Sequence, residues 1–315
     1  MWSNKSSLTK RNDTYPFINP FRFHNSLSGR IILITNAHRG IGRASCLDFA
    51  AAGATVVCTA PSISLLEPLL SEIELRHSLP AYAFAADFSD PVVPTRLVQN
   101  VQQPVGLIDI LLNIPGNVGL SSFAHAADFQ SDWWHALEVN LRAPIALIHA
   151  VLPSMLARGS GIVITTTQSN GVLSVPFMTT DSTARSAMIR FHHGLDHEVR
   201  PKGVYSYVVF PGTVASHMHD ADNVQNVDHF AAEPRLEREV TSVVAQAVME
   251  AGGWCSTGLA TGTFLALCAD PRARCLSGLY VDAERDLGEM IEEVEKGAGS
   301  RVEKERLYVL KVDEL

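Results

Sequence analysis

Residues 30–44 read "RIILITNAHRGIGRA". The segment "RIILIT" is an unbroken apolar run. It suits a strand buried on both faces, because a parallel strand covered by helices on either side has no wet face to alternate towards. Gly40 and Gly42 then open a helix, with Ile41, Cys46, Phe49 and Ala50 at helical spacing. Glycines at such a turn let the backbone approach a pyrophosphate, whose charge the helix N-terminus favours. A glycine turn alone is a weak signal. Its position directly after a buried strand strengthens it.

The same alternation continues outward. Further short apolar strands are expected in "ATVVCTA" (54–60), "AYAFAAD" (81–87), "IDILLNIPG" (108–116), "GIVITTT" (161–167), "VYSYVVFPG" (204–212) and "SGLYVDA" (277–283). Helical patterns lie between them at 64–75, 132–157, 180–199 and 236–251. Strands alternating with helices imply βαβ units and a parallel sheet. The expected fold is α/β, a Rossmann-like doubly wound parallel sheet in one domain at 29–286. A polar, proline-containing arm over 1–28 is expected to lie on the surface. A charged, helix-prone extension over 287–315 is expected across a pocket mouth or against a neighbouring subunit.

Composition narrows the function classes. The chain has 315 residues, 46% hydrophobic and 18% charged, which supports a sizeable core and argues against disorder. A formal net charge of -8 and the lack of a basic stripe argue against nucleic acid. No apolar h-region opens the chain, and no apolar run suggests a bilayer span, so a cytoplasmic protein with no membrane partner is expected. The closing "KVDEL" is read as a coincidence with an ER-retention signal. Cys46, Cys58, Cys255, Cys268 and Cys275 are scattered and are expected to be reduced thiols.

Several landmarks now fall in one order: Thr35, Gly40 and Gly42 in the turn; Asp87 after the third strand; "NIPG" at 113–116; Asn140 in "VNLRAP"; and "FPGTVAS" at 210–216. From about Ser28 to Asp286 the chain resembles the short-chain dehydrogenase/reductase (SDR) family, a divergent fungal-type member. The family turn has a glycine where this chain has Asn36, a residue that tolerates left-handed backbone better than most. The resemblance implies that Asp87 contacts adenine and that Asn113 belongs to the Asn-Asn-Ala-Gly motif. It implies that Pro211, Gly212, Val214 and Ser216 line the nicotinamide side, and that Asn140 is a structural and proton-relay residue. It also implies a homodimer or homotetramer.

Active members of that family use Ser, Tyr and Lys. In "ITTTQSNG", anchored by Gly171, the serine position falls on Gln168. The tyrosine position falls on Asp181, and the lysine position, four residues on, falls on Arg185. A carboxylate is a base or a charge partner, and at neutral pH it is a poor acid for an alkoxide. Hydride reduction in the family's usual manner is therefore impaired. Proton abstraction beside a carbonyl, dehydration, or holding a cationic intermediate remains open, with Gln168 and Asn140 donating to an oxyanion. The bland alternative is a helix-surface ion pair worth about 0.3–0.5 kcal/mol.

For a cofactor, the end of the second strand, "CTAPS", carries neither charge, and Arg39 could meet a 2′-phosphate. NADP(H) is thus favoured over NAD, with weak or vestigial binding. His217 and His219 in "HMHD" are pocket candidates for acid–base work, against the reading of an ordinary polar loop. No metal site is expected: His192, His193 and His197 read as surface or interface, and Trp133 and Trp134 as packing residues. The expectation is a non-redox enzyme acting on a small organic substrate of specialised metabolism, by cyclisation, isomerisation or dehydration. The alternatives are an NADP(H)-dependent carbonyl reductase or alcohol dehydrogenase with an atypical proton donor, and a silent binding protein.

Overall fold

The computed structural model describes residues 7–77, 79–116, 123, 129–173, 178–214 and 253–300. Among the described residues there are seven strands: β1 (Ile31–Ile34), β2 (Thr55–Ala60), β3 (Ala81–Ala85), β4 (Ile110–Asn113), β5 (Gly161–Thr166), β6 (Val204–Phe210) and β7 (Tyr280–Asp282). They form one sheet in the order β3-β2-β1-β4-β5-β6-β7 with every pairing parallel. All seven lie inside the apolar runs that mark them in the sequence. The order reverses between β1 and β4, the switch point beside which ligands bind in doubly wound sheets.

The helices are α1 (Gly40–Ala51), α2 (Glu67–His77), α3 (Val93–Gln102), α4 (Phe129–Arg158), α5 (Thr179–Val199), α6 (Thr257–Ala269) and α7 (Leu287–Lys296). Helix α4 contains π-helical turns at Phe129–Trp134 and Glu138–Arg142. The sheet separates two cores. Ile32, Ile34, Val56 and Cys58 join one, while Leu33 and Val57 join the other. Alternate residues of one strand thus feed opposite faces, as the pleat requires.

Two helices were not among those expected, although α3 buries Pro94, Leu97, Val98 and Val101 at helical spacing. Helix α3 begins with Pro94 near its N-terminus, where the missing N–H does no harm. Helix α6 is apolar on nearly all sides and carries no stripe, because it is buried nearly all round. The expected helix at 236–251 lies outside the described residues.

The N-terminal arm departs from expectation. Leu8, Tyr15, Ile18, Phe23 and Leu27 are buried in the larger core. The polar composition hid five apolar anchors spaced along an irregular segment. Ile18 packs on Gly262 of α6 so closely that a Cβ there would lie 2.2 Å from the Ile18 carbonyl oxygen. The described part of the C-terminal extension is also integral. Leu287, Met290 and Ile291 of α7 enter the same core. The Leu287 N–H donates to the Tyr15 hydroxyl, and Arg11 pairs with Asp286 at 2.7 Å. Residues 301–315 lie outside the described part.

Helix α4 is long and apolar enough to cross a membrane by length and mean hydropathy alone, the only such helix among the described residues. Its Leu147, Ile148, Val151 and Met155 pack in the second core.

Candidate active site

The expected site residues follow β1, β3, β4, β5 and β6 or lie on α4 and α5. On the β1 side, Thr35 is buried and its hydroxyl accepts from the Ile114 N–H at 2.7 Å. Asn36 adopts a left-handed backbone with φ 51°, and Gly40 does the same with φ 52°. The turn therefore keeps its backbone path although the glycine is gone. A Cβ on Gly42 would sit 2.2 Å from the Asn36 carbonyl oxygen, so the helix must start without a side chain there. Arg39 precedes α1 in extended backbone, and Ile41 packs on the core. His38 is shifted below its usual range by burial and, secondarily, by the Arg39 charge.

Asp87 is exposed and its carboxylate accepts from the Ser89 N–H and hydroxyl. Those bonds hold it below the ordinary carboxylate range. Asn113 is buried and donates to the Pro144 carbonyl and the Thr165 hydroxyl, which ties β4 to α4 and β5. Pro211, Gly212 and Val214 lie at the end of β6, with Gly212 at φ 89°. Glu284 fastens this turn by accepting from the Thr213 N–H and hydroxyl at 2.8 and 2.9 Å. Ser216, His217 and His219 lie outside the described residues.

The centre of the site is Asp181 at the start of α5. It is fully buried, with Arg185 one turn on and 2% exposed. The Arg185 Nε donates to Asp181 Oδ1 at 3.2 Å, and its Nη1 donates to the Thr166 carbonyl at 3.3 Å. A surface ion pair is therefore excluded; this pair lies in the interior. Asn140, placed by the second π-helical turn of α4, donates to the same Oδ1 at 3.4 Å. Asn170 donates to Oδ2 at 2.8 Å. A carboxylate offers about four lone-pair positions. Three are engaged, two on Oδ1 and one on Oδ2, so Oδ2 keeps one for an incoming proton.

Gln168 does not join this cluster. It is half-buried, and among the described residues its side chain makes no hydrogen bond. Asn170, two residues on, takes the place at the carboxylate. The sequence register pointed to the serine-equivalent position. The short 3-10 turn at Ser169–Gly171 instead directs Asn170 inward. Gly171 permits this, since a Cβ there would lie 3.0 Å from Arg185 Cβ.

Around the pair, Arg185 Nη2, Asn170 Oδ1 and Thr167 Oγ1 are buried without a hydrogen-bond partner among the described residues. Buried polar atoms are nearly always satisfied, and Arg185 Nη2 and Asn170 Oδ1 belong to side chains that also hold Asp181. The histidines of α5 separate. His192 is fully buried, rather than at the surface or an interface as expected, and its Nδ1 lies 2.7 Å from Ser206 Oγ. The helix face that packs on β6 captured it. No group of three metal-ligating side chains occurs among the described residues.

Asn36 links the β1 turn to the loop after β4. The Asn36 Nδ2 donates to the Ile114 carbonyl at 2.6 Å and faces Gly116, where a Cβ would come within 3.1 Å of it. A side chain thus spans from the β1 turn to the β4 loop across the switch point. The Arg185 guanidinium is turned to Asp181 and Thr166 within the interior.

Comparison with known proteins agrees with the fold. Residues 30–226 match the short chain dehydrogenase family model. A short chain dehydrogenase of Pseudocercospora fijiensis is 34% identical over 307 residues, covering 98% of this chain and 97% of that protein. The short chain dehydrogenase pigC of Monascus ruber is 30% identical over 210 residues, covering 65% of this chain and 68% of that protein. The chain belongs to the short-chain dehydrogenase/reductase family. Among solved structures, 7α-hydroxysteroid dehydrogenase complexed with NADH and 7-oxo glycochenodeoxycholic acid superposes with a TM-score of 0.70 at 21% identity, covering 92% of this chain and 99% of that one. At that identity the likeness speaks for the fold.

Proposed function

We propose that this protein is a non-redox enzyme that moves a proton on a small organic substrate, by cyclisation, isomerisation or dehydration in a former dehydrogenase pocket. One observation supports the reading: a buried cluster of Asp181, Arg185, Asn140 and Asn170, at positions where the family resemblance leads one to expect Tyr and Lys. A pocket that had merely lost its chemistry would be expected to fill with apolar side chains, since a buried ion pair is rarely the most stable choice. Here the charges are retained and polar atoms beside them are unmet.

In this reading Asp181 Oδ2 accepts the substrate proton through its remaining lone pair. Arg185 and Asn140 hold Oδ1 and fix the carboxylate plane. The buried Arg185 Nη2 donates to the oxygen on which charge develops, and preorganised donors in a dry site are strong at that task. Gln168, half-buried after β5, would be a further donor. The enzyme would act as a homodimer or homotetramer and would need no nicotinamide nucleotide.

The test is Asp181→Asn, which keeps volume but cannot accept the proton. Assayed against a panel of small cyclisable carbonyl compounds, the variant should lose about a hundredfold or more in turnover while remaining folded, the usual scale for a lost general base. Wild-type turnover in the variant would end this assignment.

A further inference from the structure

We infer that Asn36 closes the adenosine side of the dinucleotide cleft in this chain. The argument starts from the backbone. At φ 51° the position tolerates glycine without strain, and asparagine is among the few other residues that visit it. The substitution therefore leaves the turn intact and adds only a side chain. That side chain is not free in solvent. It is fastened to the Ile114 carbonyl at 2.6 Å and lies over Gly116. Thr35 holds the N–H of the same residue, Ile114. Both backbone polar groups of Ile114 are thus engaged from the β1 turn.

Gly116 shows how little room remains on the β4 side: a Cβ there would lie 3.1 Å from the Asn36 amide nitrogen. The cleft between β1 and β4 is where the chain order reverses and where a nucleotide's sugar and pyrophosphate would have to approach backbone. A ligand entering there must break the Asn36 bond to Ile114 and swing the amide away. On this inference the turn keeps its shape while the Asn36 side chain covers its ligand face.

The experiment uses the full-length chain and its Asn36→Gly variant. Each is titrated calorimetrically with 2′,5′-ADP, 5′-AMP and NADPH. These probes carry the adenosine half with and without the rest of the cofactor. The variant is expected to fold with an unchanged melting profile and to bind 2′,5′-ADP or 5′-AMP about tenfold tighter or better than the wild type. Asn36→Ala, which removes the bond but keeps a Cβ, should fall between them. Equal affinity of wild type and Asn36→Gly for the adenosine probes, whether tight or absent, would overturn the inference. The outcome is independent of Asp181, because none of these probes needs turnover to be read.

Discussion

The Asn170 Nδ2 lies 2.8 Å from Asp181 Oδ2, the shortest of the three N–H contacts that hold this buried carboxylate. It joins the turn after β5 to the first turn of α5. Asn170→Ala should lower stability by about 1–3 kcal/mol, the usual loss when a buried polar group is left without its partner. Asn170→Asp should cost more, because it sets a second carboxylate against the first. Urea unfolding of the three proteins at neutral pH reads the order wild type, Asn170→Ala, Asn170→Asp.

The Asp181–Arg185 pair makes a sharper stability prediction. Both side chains are almost wholly inaccessible. Asp181→Ala or Arg185→Ala alone should destabilise by about 3–5 kcal/mol, because each strands one charge in the interior. Replacing both together, Asp181→Leu with Arg185→Met, should recover much of that loss while abolishing activity. Chemical denaturation checks the first part. If both single variants melted like wild type, the buried pair would be refuted.

His192 predicts a pH dependence. Burial lowers its folded-state value to about 3 from 6.5. Well above pH 6.5 both folded and unfolded chains carry it neutral, and it contributes no pH slope. As pH falls from 6.5 towards 3, the unfolded chain takes up a proton that the folded chain refuses. This residue alone should then remove up to about 1.4 kcal/mol of stability per pH unit. His192→Asn should be flatter over that window. Midpoints of urea denaturation measured from pH 7.5 down to 4.5 on both proteins give the comparison.

Gly42 tests the turn without touching any ligand. Gly42→Ala would place its methyl 2.2 Å from a backbone oxygen and 2.9 Å from a backbone carbon of Asn36, neither of which can swing aside. A loss of about 1–3 kcal/mol is expected from overpacking. Gly194→Ala is the control, since a Cβ there meets nothing within 4 Å. Thermal melts of the two variants should differ in the stated direction.

The fold was legible because its strands are short apolar runs bounded by turn residues, and all seven register on the sheet. The buried arm was not. Leu8, Tyr15, Ile18 and Phe23 have neither helical nor strand period, so only the tertiary contacts reveal them. At the site, the positions of Asp181, Arg185 and Asn140 follow from the family resemblance. Asn170 does not, because it reaches the carboxylate through a one-turn 3-10 segment whose direction spacing alone does not encode. Asn36 sits between these cases. Its tolerance of left-handed backbone could be read from its type, whereas the reach of its amide to Ile114 required the neighbouring strand.

The most direct measurement is the mass of the product formed from cyclisable carbonyl compounds by the purified full-length protein, with and without NADPH. The account predicts products of unchanged mass, or lighter by one water, at the same rate in both reactions, and their disappearance in Asp181→Asn. Products heavier by two hydrogens, formed only when NADPH is present, would contradict it and assign the chain to the family's reductases.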